Sequence, residues 1–152
     1  MSLKKLNIKN SELINKLIEK VASLTGGVME EGLRYKYDYS NGVYEPIYLR
    51  VYAKNENSQF YRIIISRGYT DSEGEFHSDP EVHIGVLSKY NQFFPFYVKT
   101  GEGENEVDKR SAEFDVSGHI IWQNTNENQR DVHSFTNSLL NQIRKQYAEF
   151  ND

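Results

Sequence analysis

Apolar residues recur every three or four positions near the start of the chain, which is the spacing of one helix face. This stripe predicts a helix over about Ser11 to Leu24, with Glu and Lys residues on its other faces. Asn10 or Ser11 can cap its start by accepting a free backbone N–H. Gly26-Gly27 is expected to stop it, because glycine adopts positive φ without steric cost.

A second helical stripe predicts another helix over about Glu127 to Phe150, at the end of the chain. The apolar positions of this stripe are Val132, Phe135, Leu139, Leu140, Ile143 and Tyr147. The side chains able to cap its start are those of Asn124, Thr125 and Asn126. Each end of the chain is thus predicted to carry an amphipathic helix with one face available for packing.

Between these helices, apolar and polar residues alternate with a period of two, which predicts β-strands. From Leu33 to Tyr39, tyrosines alternate with charged residues. Asn41-Gly42 follows and favours a hairpin turn, because both turn positions need positive φ. The return strand is predicted over about Val43 to Ala53, and it begins after Pro46 or lies at an edge there, since proline has no N–H for the ladder. Its inward-facing residues are Ile47, Leu49, Val51 and Ala53.

Four more strands are predicted further along the chain. They lie at about Phe60 to Arg67, Glu81 to Leu87, Phe93 to Val98 and Phe114 to Trp122. Pro95 argues for an edge, a bulge or an irregular start in the third of these, and Gly118 weakens the last. Residues 71–74, 77–80 and 101–111 are predicted to be turns or loops.

This order predicts an α+β fold, in which the two helices cover one face of a twisted, mostly antiparallel sheet of five to six strands. The 152 residues suit a single domain, 1–152, that buries roughly 70% of its unfolded surface.

The chain has no cysteine, which excludes disulfides, thiolate metal sites and thiol nucleophiles. No apolar run approaches the roughly 20 residues of a membrane span. No apolar segment follows the basic start of the chain, so we expect no signal peptide and a cytoplasmic location.

The formal net charge of −4, from 18 Lys and Arg against 22 Asp and Glu, changes the range of expected partners. It argues against a protein that coats duplex DNA, because such proteins neutralise phosphates with a basic face. The densest acidic stretch contains Glu102, Glu104, Glu106 and Asp108. This stretch is either a solvated loop or an edge that mimics phosphates and binds a basic partner.

Two histidines and two carboxylates alternate over one short segment, at His77, Asp79, Glu81 and His83. In an extended backbone all four side chains would project from one face, where they could hold zinc, manganese or non-haem iron. Pro80 interrupts the segment, and neighbours on one strand diverge, so a metal would need a further ligand such as His119 or His133. The simpler interpretation is the solvent face of a strand entry.

The chain carries no motif of nucleophilic catalysis or of a cofactor site. Gly101-Glu102-Gly103 lacks the Gly-Lys-Ser/Thr that completes a phosphate loop. His133, with Asp131 near it, has no Gly-x-Ser-x-Gly nucleophile turn to work with, and we interpret it as a polar position on a surface helix. We therefore expect no catalytic residue and no cofactor.

Eight of the eleven tyrosines lie between Tyr35 and Tyr69. They include two alternating rows, one of Tyr35, Tyr37 and Tyr39 and one of Tyr44, Tyr48 and Tyr52 together with Arg50. Such residues can anchor a protein partner, stack single-stranded nucleic acid, or simply pack across strands. The acidic balance of the chain places nucleic acid behind protein as a partner.

The run Gly74-Glu75-Phe76-His77-Ser78-Asp79-Pro80-Glu81-Val82 resembles a motif of small uncharacterised bacterial domains encoded on plasmids, integrative elements and phages. Phe93-Phe94-Pro95-Phe96-Tyr97 is similar to a strand of these domains, and residues 135–143 resemble their terminal helix. The resemblance covers about residues 30–150. It implies an accessory protein of a mobile element or phage, and the family has no catalytic assignment to carry over to this chain. Asp79 before Pro80 is expected to shape a turn into the next strand.

Together these observations predict a non-enzymatic binding module that acts on a protein partner through its surface. The candidate binding residues are Tyr44, Tyr48, Arg50, Tyr52, Glu102, Glu104 and Glu106. One alternative is a metal-dependent enzyme built on His77, Asp79, Glu81 and His83. The other is a binder of single-stranded nucleic acid through Tyr48, Arg50 and Tyr52.

Overall fold

A computed structural model of the chain describes residues 3–27, 29–38, 43–55, 59–123 and 126–151. Within them the chain forms helix α1 (Ile8–Leu24) and helix α2 (Asn126–Gln146). The strands are β1 (Arg34–Tyr37), β2 (Ile47–Asn55), β3 (Phe60–Thr70), β4 (Phe76–Leu87), β5 (Gln92–Thr100), β6 (Val107–Arg110), β7 (Ala112–Phe114) and β8 (Ile120–Gln123). Strands β1 to β6 form one antiparallel sheet in sequence order, and β7 pairs with β8 in a second. The predicted α+β class is confirmed.

Both helices pack on one face of the six-stranded sheet, which we call the inner face. Leu17 of α1 and Leu140 of α2 share a core with Ile63 and Ile84 of the central strands, and all four are at most 1% exposed. The predicted inward residues Ile47 and Leu49 lie in the same core, and strand β2 begins directly after Pro46. Burial of this face is the main source of stabilisation, since apolar burial contributes roughly 25 cal/mol per Å².

Helix α1 ends at Leu24, as the sequence predicts, but it begins earlier than the predicted Ser11. Helix α1 begins at Ile8, because Asn7 is its cap and accepts the Asn10 N–H at 2.8 Å. Asn10 is therefore not a cap but is buried inside the first turn, as is Ser11. Gly27 donates its N–H to the Ala22 carbonyl at 2.7 Å, in agreement with the predicted stop.

Helix α2 ends at Gln146, and a short 3₁₀ turn, Ala148–Phe150, follows it. Tyr147 and Phe150 nevertheless stay buried against the core, so the predicted apolar stripe continues beyond the helix. The predicted caps Asn124 and Thr125 lie outside the described residues, as does the predicted turn at Asn41-Gly42. No helix in the described part of the chain is long and apolar enough to cross a membrane.

The segment 77–80 is strand rather than the predicted loop. Strand β4 already begins at Phe76, because β3 continues to Thr70 and pairs with it through Gly68↔Ser78 and Tyr69↔His77. The polar composition of this segment gives no strand pattern, and backbone pairing with β3 holds it in the sheet. The Asp79-Pro80 peptide bond is cis and lies within the strand, so Asp79 does not shape a turn before it as expected.

Two further predictions change near the end of the sheet. The predicted loop 101–111 contains strand β6, which pairs with β5 at the sheet edge. The predicted strand from Phe114 to Trp122 is instead a hairpin of β7 and β8. Its turn is closed by Asp115, whose carboxylate accepts the N–H groups of Ser117 at 2.8 Å and His119 at 2.9 Å.

Pro95 lies at a bulge, one of the three outcomes that its position predicts. His83 pairs with Tyr97 and Ile84 pairs with Pro95, so Phe96 has no partner in β4. The bulge brings Phe96 to the outer face, where it packs in a second cluster under the β7–β8 hairpin. The other members of this cluster are Leu3, Phe60, Ala112 and Phe114. The hairpin therefore covers only one part of the outer face.

The Ser66–Gly68 irregularity in β3 brings two backbone segments into close contact. A Cβ added to Gly68 would lie 2.0 Å from the His77 carbonyl oxygen. Gly74, in the turn of the same hairpin, also has positive φ, but a Cβ there would meet nothing within 4 Å. The close approach at Gly68 thus sets where the end of the β3–β4 hairpin lies.

We expect Gly68→Ala to lower the free energy of unfolding by about 2–4 kcal/mol, because the strands must separate to admit the methyl group. Gly74→Ala is the matched control and should cost only about 1–2 kcal/mol, the penalty of a positive φ. Urea unfolding followed by circular dichroism measures both. Equal losses in the two variants would contradict the role of the close approach.

Candidate functional site

The first tyrosine row belongs to the core. Tyr37 is fully buried, its ring lies 5.8 Å from that of Tyr147, and its hydroxyl donates to Glu149 at 2.7 Å. Tyr35 packs against the same core, and its hydroxyl accepts the Glu30 N–H at 2.7 Å. Tyr39 lies outside the described residues. The two described members of this row are ordinary packing residues.

The second row points to the outer face of the sheet. Tyr48, Arg50 and Tyr52 alternate with the buried residues of β2 and so project away from the helices. Tyr44 precedes β2 and is 42% exposed, so it is not part of this strand row. Of the predicted row, only Tyr48, Arg50 and Tyr52 therefore lie together on the outer face of the sheet.

The strand register continues this row across the whole outer face. Arg34 lies directly opposite Arg50, which is opposite Ile64, and Ile64 is opposite His83. Beyond His83 the row continues to Tyr97 and Arg110. At that end Arg110 pairs with Glu113 at 2.9 Å, so its charge is compensated. The opposite end carries two adjacent arginines.

The end of the β3–β4 hairpin reaches over one of these arginines, Arg34. The Phe76 ring of β4 lies 4.6 Å from the Tyr48 ring, and the Arg34 guanidinium carbon lies 3.6 Å from the Phe76 ring centre. Strand β4 is three strands from β1 in a sheet whose neighbours lie about 4.8 Å apart. Phe76 can therefore reach Arg34 only because the hairpin end bends over the outer face.

We call this region the arginine patch. Its residues are Arg34, Lys36, Tyr48, Arg50 and Phe76. The three cations are exposed, and none of them forms an ion pair with any described residue. Like charges directly opposite each other destabilise a sheet, by roughly 0.2–1 kcal/mol. An anion bound between Arg34 and Arg50 would remove this repulsion.

Beside the arginine patch, three polar side chains form one hydrogen-bonded chain. Glu81 lies 2.7 Å from Nε2 of His83, and Nδ1 of His83 lies 3.1 Å from the Tyr52 hydroxyl. Because a carboxylate only accepts, Nε2 carries the hydrogen and the neutral ring can accept the Tyr52 proton at Nδ1. This order of acid, imidazole and hydroxyl is that of a nucleophile with its base.

The pKa values of Glu81 and Tyr52 do not favour nucleophilic chemistry at these three side chains. Burial raises the pKa of Tyr52, and the nearby Arg62 and Arg110 only partly offset it, so the hydroxyl keeps its proton. The His83 hydrogen bond lowers the pKa of Glu81 to about 2 against the effect of burial, with further help from Ser78. Glu81, His83 and Tyr52 therefore form a row of hydrogen-bonded side chains beside the arginine patch.

The four candidate metal ligands are not brought together around one point. His83 and Glu81 pair with each other, whereas His77 pairs with Asp71 at 2.7 Å. Asp79 accepts the Gly101 N–H at 3.0 Å. The further ligands that the sequence suggested are engaged elsewhere: His119 lies 3.3 Å from Asp115, and His133 contacts the N-terminal segment.

One group of possible metal ligands does converge at the end of the β3–β4 hairpin. Ligand atoms of Asp71, Glu75 and His77 lie within 4.8 Å of one another. Oδ1 of Asp71 already accepts the N–H groups of Glu73 and Glu75, both at 2.9 Å, while Oδ2 contacts Nε2 of His77. These bonds engage both oxygens of Asp71 without a metal. Only His77 belongs to both this group and the predicted one.

In the acidic stretch of residues 102–108, fewer carboxylates are without a partner than the sequence suggests. Glu102 lies 3.7 Å from Nδ1 of His77, and Glu106 lies 3.6 Å from Lys99. The Tyr69 hydroxyl also donates to Glu102, at 3.4 Å. Glu104 is exposed. Two of the three candidate glutamates thus attach the loop to the sheet.

His133 is buried rather than on the surface of its helix. It is 9% exposed, and its Nε2 donates to the Lys5 carbonyl at 3.1 Å. Nδ1 accepts from the Asn137 amide, also at 3.1 Å. The residue fastens the segment before α1 to α2, a long-range contact that the local sequence does not indicate.

Surface cavities of about 140–280 Å³ lie elsewhere on the molecule. One apolar cavity of about 150 Å³ lies under the β7–β8 hairpin and is lined by Phe60, Phe114 and Gly118. The arginine patch and the chain of Glu81, His83 and Tyr52 form an open face instead. Such a face suits a macromolecule better than an enclosed small substrate.

Sequence reasoning missed three residues of the arginine patch. Arg34 and Lys36 alternate with the half-buried Tyr35 and the buried Tyr37, so the period-two pattern contained the signal for their outward direction. Phe76 had no such signal, because only the bend of the hairpin brings it over β1 and β2.

Comparisons with known proteins find no relative of this chain. No family model, no curated protein and no solved structure matches the chain.

We expect Glu81→Gln to lower the free energy of unfolding at pH 6 by roughly 1–3 kcal/mol. The folded-state pKa lies below its ordinary value of 4.5, so this contribution is present above pH 4.5 and is lost as the pH falls towards 2. Urea titrations across that range should show the two proteins converging. Glu104→Gln is the control, and a difference for Glu81→Gln that does not change with pH would contradict the assignment.

A second titration tests the end of the hairpin. The hydrogen bond that the His77 ring donates to Asp71 raises the pKa of His77 above its ordinary value of 6.5, and Glu102 adds to the effect. NMR titration of the ring protons should place the His77 midpoint above 6.5 in the wild type and lower in Asp71→Asn. Glu104→Gln should leave the midpoint unchanged. A wild-type midpoint at or below 6.5 would show that these contacts do not form in solution.

Proposed function

We propose that this protein is a non-enzymatic binding module whose arginine patch binds an acidic segment of a partner protein. The observation that carries the proposal is the direct opposition of Arg34 and Arg50, both exposed and without a carboxylate partner among the described residues. The repulsion between them is relieved when an anionic group binds, so part of the binding free energy comes from removing an unfavourable contact.

The aromatic residues of the patch favour protein over single-stranded nucleic acid. Nucleic acid binders present free ring faces on which bases stack. Here the Arg34 guanidinium covers one face of Phe76, and Tyr48 meets the Phe76 ring at an angle of 62°. These rings are already packed against each other and support the arginines. The net charge of −4 also disfavours a long polyanion.

A metal-dependent enzyme has less support from the arrangement of residues. The four candidate ligands His77, Asp79, Glu81 and His83 are engaged in separate contacts. Tyr52, the hydroxyl closest to the His83 imidazole, has a raised pKa. The resemblance around Asp79-Pro80-Glu81 keeps its implication of a mobile-element or phage accessory protein as a prediction.

Fluorescence anisotropy with a labelled acidic peptide tests the proposed function. We expect binding at low salt that weakens at about 0.15 M salt, because exposed charges are screened there. Arg50→Glu should reduce the affinity at least tenfold, which corresponds to about 1.4 kcal/mol. Lys145→Glu makes the same charge change on the exposed face of α2 and serves as the control.

Two results would count against the proposal. One is the absence of peptide binding at low salt, and the other is an equal loss of affinity in Arg50→Glu and Lys145→Glu. A short oligothymidine is measured in parallel. If it binds more tightly than the peptide and loses affinity in Arg50→Glu, the patch is a nucleic acid site.

A further inference from the structure

We infer that the anion recognised between Arg34 and Arg50 is a phosphate monoester on a side chain of the partner protein. This inference rests on the proposed function and makes it more specific. A carboxylate carries one negative charge, whereas a phosphate monoester carries about −1.5 to −2 at pH 7 together with three acceptor oxygens. The number and arrangement of donors in the arginine patch match the second group better.

The two arginines are placed so that both can reach one phosphate group. They are direct cross-strand partners on β1 and β2, and the Cβ atoms of such partners lie about 4.5–5.5 Å apart. Each guanidinium offers a planar fork of N–H donors that fits two oxygens of a phosphate. Two such guanidinium groups, on side chains that start from neighbouring positions, can bind one tetrahedral anion from two sides. A single carboxylate would use only part of these donors.

Arg34 is held in place before any ligand arrives. Its guanidinium carbon lies 3.6 Å from the centre of the Phe76 ring, which is the distance of a stacked cation–π contact. Phe76 in turn packs against Tyr48 with ring centres 4.6 Å apart. Stacking leaves the N–H edge of the guanidinium free to donate. A fixed donor loses less side-chain entropy on binding, and this favours a specific ligand over diffuse attraction.

Two more donors lie next to the arginines. Lys36 is exposed two residues beyond Arg34 on the same face of β1, and it pairs directly with Tyr48. Lys36 makes no ion pair and the Tyr48 hydroxyl makes no hydrogen bond with any described residue. The patch thus offers two guanidinium groups, an ammonium group and a hydroxyl to one incoming anion. Clusters of this kind recognise phosphorylated segments in other proteins.

The test uses one labelled acidic peptide in three forms, with serine, glutamate or phosphoserine at its centre. We expect the phosphoserine form to bind the wild-type protein about tenfold more tightly than the glutamate form, which in turn binds somewhat more tightly than the serine form. Arg50→Lys keeps the charge but removes the planar fork, so it should abolish most of the preference for phosphoserine over glutamate. Arg130→Lys, at an exposed position of α2, is the matched control and should keep that preference.

Inorganic phosphate is titrated as a competitor to identify the source of the phosphate group. Displacement only at concentrations far above the dissociation constant of the phosphopeptide supports a phosphorylated protein. Inorganic phosphate that binds as tightly as the phosphopeptide overturns that part of the inference in favour of free phosphate. Circular dichroism of Arg50→Lys verifies that the variant is folded.

The remaining outcomes separate this inference from the proposed function. Equal affinity for the glutamate and phosphoserine forms overturns the phosphate inference and leaves an acidic protein segment as the ligand. The same conclusion follows if Arg50→Lys keeps the full preference. If none of the three peptides binds at low salt, both the inference and the proposed function are overturned.

Discussion

Burial of the inner sheet face under α1 and α2 is the constraint on which the rest of the structure depends. Successive strand residues point to opposite faces, so a shift of one residue in register would exchange the buried and exposed sets. Tyr37 and Leu49 are fully buried under the helices, and this holds β1 and β2 in one register. That register places Arg34 opposite Arg50 on the other face. The exposed patch is therefore a consequence of how the core packs.

Departures from regular pairing then decide what the outer face contains. The bulge at Phe96 lets that ring pack under the β7–β8 hairpin, which covers one part of the face. The irregularity at Ser66 and Gly68 accompanies a hairpin end that bends until Phe76 lies over Arg34. Bulges commonly redirect side chains in this way at functional regions of sheets. The contact between Phe76 and Arg34 thus depends on the bent end of the β3–β4 hairpin.

The distribution of charge matters more here than the total. The chain is acidic overall, yet Glu102 and Glu106 are engaged by His77 and Lys99, and Glu81 is engaged by His83. The cations of the arginine patch have no such partners among the described residues. A net charge cannot express this difference, because it counts paired and unpaired groups equally. The local field of the patch is positive, which favours an anionic partner.

The amino-acid pattern alone specifies the helices at both ends, the alternation of the strands and hence the α+β class, because these depend on local periodicity. It also contained the outward direction of Arg34, Lys36 and Arg50. It could not assign the strand at residues 77–80 or the burial of His133, because backbone pairing and packing against distant segments stabilise them. The three-dimensional arrangement sets which charges of the described residues remain unpaired, and it brings Phe76 over Arg34. Both depend on contacts between residues far apart in the chain, which no local pattern encodes.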